Sequence, residues 1–102
     1  MYLVQLLLPL YDNNKQPFSH LDFDAVRSEL AEHYGGVTAF LQSPAEGIWK
    51  ANEEEVSHDD VVMFEVMTQK LDPAWWAEYR KSLQKRFRQE EVMVRAISVQ
   101  KL

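Results

Sequence analysis

Two helical stripes of the same spacing, each set between runs of strand-forming residues, restrict this chain more than any other feature. Phe23, Val26, Leu30 and Tyr34 stand at i, i+3, i+7 and i+11, one apolar line along a helix. Trp76, Tyr79, Leu83 and Phe87 repeat that line in the second half of the chain. Ser19 or Asp22 can cap the first helix, and Gly35-Gly36 supplies a left-handed stop after it. Asp72-Pro73 opens the second, with Asp as N-cap and Pro at the first helical position. Arg80, Lys81, Lys85, Arg86 and Arg88 lie toward its C-terminal end, where they complement the helix dipole.

The flanking segments read as strands. Tyr2 to Leu8 is an apolar run broken only by Gln5, the pattern of a strand buried on both faces. Val37 to Gln42, Val61 to Met67 and Val92 to Val99 are the other three. Asp12-Asn13-Asn14-Lys15 reads as a turn. In the insertion of residues 43–60, Pro44 and Gly47 mark turns. A small hairpin is possible there, pairing Ile48-Trp49-Lys50 with Glu55-Val56-Ser57. At 102 residues the chain suits one domain, residues 1–102, because two cores would each be too small. The order β-α-β then β-α-β, with right-handed crossovers, predicts an α+β, ferredoxin-like βαββαβ fold. Its four-stranded antiparallel sheet runs fourth, first, third, second, with both helices on one face and the other face bare.

Alternation assigns side chains to those faces. Val92, Val94 and Ala96, with Val62, Phe64 and Val66, suit the helical side. The bare side then carries Met93, Arg95 and Ile97 on the last strand and Met63, Glu65 and Met67 on the third. The first strand adds Leu3, Gln5 and Leu7, and the second Thr38, Phe40 and Gln42. Gln5 is placed between Arg95 and Glu65 in an apolar field. One reading is a homodimer through this face, with Glu65 and Arg95 satisfying each other because an unpaired charge in an interface is costly. The other is a small-molecule cavity over the sheet, with Glu65 as general base and Arg95 as anion anchor. Gln5, Thr38, Phe40, Trp49 and Met63 would contact the ligand.

Other function classes find less support. A net charge of −5 argues against nucleic acid, and the basic run of the second helix comes without an RNP-type motif on the sheet. No apolar run approaches a membrane span, and the first residues lack the marks of a signal peptide. A cytoplasmic location is expected. Cysteine is absent, so thiolate sites and cysteine nucleophiles are excluded. Glu53 to Asp60 sets one histidine, His58, among carboxylates without a two-histidine spacing, so no metal is expected. No motif implies a cofactor. Trp75, next to the core residue Trp76, belongs at a core edge or a protein contact. An adaptor working through Trp75 and the second helix is a third reading.

Tyr34-Gly35-Gly36-Val37-Thr38-Ala39, Gly47-x-Trp49, Val61-Val62-Met63-Phe64-Glu65-Val66, Tyr79 and Phe87-Arg88-Gln89-Glu90-Glu91-Val92 together resemble small bacterial proteins of unknown function. Those are similar to the dimeric α/β-barrel superfamily, in which two sheets pack face to face. That superfamily includes cofactor-independent monooxygenases, dismutase-like haem proteins and muconolactone-isomerase-like enzymes. The resemblance implies the fold and a dimer. It assigns no catalytic residue, and no histidine falls on the expected strands for haem ligation.

Overall fold

A computed structural model describes residues 1–42 and 60–102. The elements are β1 (Tyr2–Pro9), α1 (His20–Tyr34), β2 (Thr38–Gln42), β3 (Val61–Thr68), α2 (Pro73–Arg86) and β4 (Met93–Ser98). The proposed hairpin and Trp49 lie outside the described residues.

Local chemistry sets the helix limits. The Ser19 hydroxyl accepts from the Leu21 N–H at 3.1 Å, so Ser19, and not Asp22, is the N-cap of α1. Gly35 ends α1 at φ +80°, a left-handed conformation that costs a side-chain-bearing residue about 1–2 kcal/mol. Asp72 caps α2 by accepting from the Trp75 N–H at 3.2 Å, with Pro73 following as expected.

The strands form one antiparallel sheet in the order β2-β3-β1-β4. Val4, Leu6 and Leu8 of β1, with Phe64 and Val66 of β3, share a single core with Phe23, Val26 and Leu30 of α1 and Trp76 and Leu83 of α2. Both helices therefore cover the same side. This is the ferredoxin-like arrangement that the two strand–helix–strand halves predict. Coverage is incomplete at one edge. Val92 is buried and Val94 half-buried, but Ala96, expected beneath the helices, is exposed. The helix layer stops short of the outer half of β4.

The helices are tied to one another by a partly exposed network. The Tyr79 hydroxyl donates to Glu29 Oε1 at 2.7 Å, and Arg86 Nη1 donates to the same oxygen at 2.7 Å. Burial, then the Glu29 hydrogen bond and charge, raise the Tyr79 phenol above its ordinary 10.0. The folded state thus keeps this proton at a pH where the unfolded chain releases it. The associated stability is complete below pH 10 and declines as pH rises beyond it. Tyr79→Phe should cost about 1 kcal/mol at neutral pH. Urea titrations at pH 7 and pH 11 check this: the gap between wild type and variant should narrow at the higher pH, and a gap that widens contradicts the assignment.

Candidate functional site

The face of the sheet that no described helix covers is built on register. Gln5 pairs with Glu65 on one side and with Arg95 on the other, and Glu65 pairs in turn with Thr38. One row, Arg95–Gln5–Glu65–Thr38, therefore crosses all four strands. Directly opposite residues on one face approach within about 5 Å at Cβ, so this row is continuous. Arg95 Nε donates to Gln5 Oε1 at 2.6 Å, and Gln5 Nε2 donates to Glu65 Oε2 at 2.7 Å.

The amide orientation is fixed from both ends. Gln5 is only 9% exposed and is the one buried polar side chain among the described residues. Leaving either end of such an amide unpaired would cost about 1–3 kcal/mol. Gln5 therefore connects a cation to an anion without letting them meet. The connection uses only part of their capacity. Neither Glu65 Oε1 nor either terminal nitrogen of Arg95 has a partner among the described residues.

Apolar rows flank this one. Leu3 pairs with Met67 and Ile97 on one side, and Leu7 with Met63 and Met93 on the other; Phe40 stands opposite Met63 in register. Met67, Met93 and Ile97 are 47%, 49% and 44% exposed, high for large apolar side chains on a sheet. At the Glu65 end the row opens into a cleft of about 560 Å³, lined by Leu3, Thr38, Glu65 and Met67 and by the turn Tyr34 to Val37.

Of the residues expected on this face, Gln5, Glu65 and Arg95 are hydrogen-bonded together, and Thr38 and Met63 lie in the same and the adjacent row. Glu65 can accept a proton or a hydrogen bond, and Arg95 can hold an anion. They sit on opposite flanks of Gln5, so one small molecule touching both would have to span a strand.

A second cluster escaped the sequence reading. Trp75 stacks on His33 at 4.0 Å between ring centroids, 6° from parallel, and on Tyr79 at 4.9 Å, while Trp76 stacks on Tyr34 at 5.5 Å. Trp75 is thus half-buried at the seam of the two helices. The Tyr34 hydroxyl and Trp76 indole N–H are buried without a hydrogen-bond partner among the described residues. Burial raises the Tyr34 phenol above its ordinary value, with the Trp76 side chain opposing part of the rise and Asp72 adding to it. The adjacent pair Trp75-Trp76 and the His33-Tyr34 pair were the available signal, but which aromatic meets which depends on how the helices are rotated.

Among the described residues no group of histidine and acidic side chains could hold a metal, and no helix is long and apolar enough to cross a membrane. Comparison with protein-family models, curated proteins and solved structures finds no match. The class defined here is therefore architectural, a ferredoxin-like α+β domain with a centrally polar sheet face that no described helix covers.

Proposed function

We propose that this domain works as a homodimer joined through the open sheet face, with the Arg95–Gln5–Glu65 row at the centre of the interface. The observation that carries the reading is the row's self-complementarity. It has a cation at one end, an anion at the other, a neutral amide between them, and unused hydrogen-bonding capacity at both ends.

Symmetry turns this into a geometry. A two-fold axis parallel to β1 and lying between the sheets sets Arg95 over Glu65 of the partner subunit, twice. An axis along the row instead sets like charges against each other, at a cost of several kcal/mol. The first arrangement is favoured, and it is isologous, as closed dimers require. Four strands about 4.8 Å apart and 8, 5, 8 and 6 residues long cover roughly 430 Å² in plan before side-chain relief. That is the order of the ~800 Å² per partner of a stable interface. The resemblance to proteins whose sheets pack face to face points the same way.

The cleft beside Glu65 favours a second reading, in which the partner closes over it to make a small-molecule site using Glu65 and Thr38. Dimerisation comes first in both. Light scattering on the purified protein at about 100 μM, a concentration at which any interface tighter than the 10 μM range is populated, should give twice the 12.0 kDa chain mass. A mass of one chain under those conditions removes the proposal.

A further inference from the structure

On the opposite side of the sheet, where the helix layer stops short of β4, a cleft of about 250 Å³ remains between α2 and the edge strand. Its floor is Val4, Val94 and Ala96, with Ala96 paired to Val4 across the strands. Its wall is the α2 stripe Pro73, Trp76, Ala77 and Arg80 at i, i+3, i+4 and i+7, one face of a helix. No carboxylate among the described residues lines it. Two cations border it without an acidic partner among the described residues: Arg80, half-buried on the helix wall, and Arg95, whose Nε donates to Gln5 on the opposite face of the sheet.

Two of the other basic residues of α2 are paired, and Lys85, exposed, lines no part of this cleft. Lys81 pairs with Glu78, and Arg86 with Glu29. Arg80 is turned instead to an apolar recess. A cation there has one complementary kind of ligand, an anion with an apolar body, because the guanidinium accepts a planar carboxylate through two parallel donors. The volume admits about eight water-sized atoms at ~30 Å³ each, the size of a medium-chain or simple aromatic acid.

We propose that this cleft binds a small apolar monocarboxylate, with Arg80 holding the carboxylate and Trp76, Val94 and Ala96 enclosing the hydrocarbon. The site lies on the far side of the sheet from the dimer face and stands or falls separately from it.

Hexanoate is the probe, followed by two-dimensional ¹⁵N–¹H spectra of the full chain. Saturating shifts should map to residues 71–80 and 94–96, with a Kd on the order of 1 mM for so few atoms. Hexanamide, of the same shape without charge, should bind at least tenfold more weakly, and Arg80→Gln should weaken hexanoate at least tenfold. Arg80 is half-exposed, so the variant's own spectrum verifies its fold. Ala96→Leu, at an exposed position, should abolish binding by filling the floor. Absence of saturable shifts, equal binding of hexanamide, an unchanged Kd in Arg80→Gln, or shifts centred on Gln5 and Glu65 would each overturn the assignment.

Discussion

Glu65→Arg and Arg95→Glu should each give a monomeric protein, and mixing the two monomers should produce a heterodimer. The expectation follows from what would face what across the proposed two-fold axis. In Glu65→Arg, positions 65 and 95 are both cationic, so every facing pair in a homodimer is repulsive. In Arg95→Glu both are anionic, with the same result. Like charges in contact at an interface cost several kcal/mol, and about 3 kcal/mol is already more than a hundredfold in Kd. In the mixture each facing pair becomes one arginine and one glutamate, and attraction returns.

The same variants separate an interface from an internal network. Within one chain Gln5 has one carbonyl oxygen and one amide nitrogen, engaged by Arg95 and Glu65 respectively. Two arginines, or two glutamates, leave one end of that row unmatched, and mixing chains cannot repair a defect internal to each. Recovery on mixing therefore reports contact between chains. Sedimentation velocity on each variant and on the equimolar mixture decides it, with circular dichroism to verify folding. A mixture that stays monomeric while both chains are folded and the wild type is dimeric would place the interface elsewhere.

The polar row was readable because it depends on two regularities. Strand alternation has a period of two, and Gln5 is the lone polar residue in its apolar run, so its register with Glu65 and Arg95 follows from strand order. The helix stripes were readable for a related reason, since Phe23, Val26 and Leu30 repeat at helical spacing and are buried together. What the residues do not encode locally is how far one layer slides over another. Ala96 has the right phase for the helix side yet is exposed, because the lateral position of α2 is set by packing against the whole sheet. The Arg80 cleft is a consequence of that offset. The Glu29–Tyr79–Arg86 network and the His33–Trp75 stack depend on the mutual rotation of two helices separated by much of the chain. Spacing within either helix says nothing about it.

Phe87→Ala should be among the most destabilising single substitutions outside the sheet, by about 3–5 kcal/mol. Phe87 is 1% exposed and stands at the C-cap of α2, where its backbone N–H reaches the Leu83 carbonyl. Its ring meets Phe18 at 5.0 Å and 67° and Phe23 at 5.5 Å and 40°, and such aromatic pairs add about 0.5–1.5 kcal/mol beyond their buried area. Truncation thus opens a cavity where α1, the segment leading into it and the end of α2 converge. For a domain whose total stability is about 5–15 kcal/mol, the urea midpoint should fall by more than 1 M at an m-value of about 1–3 kcal/mol/M. The proposed dimer would stabilise the folded state by mass action, so midpoints must be compared at equal protein concentration. Phe87 lies on the helix side, away from the Gln5 row, so folded Phe87→Ala should dimerise with unchanged affinity. A midpoint shift under 0.5 M would mean that this aromatic cluster does not anchor the helix layer. Lost dimerisation in folded variant would mean that the sheet face depends on that anchor.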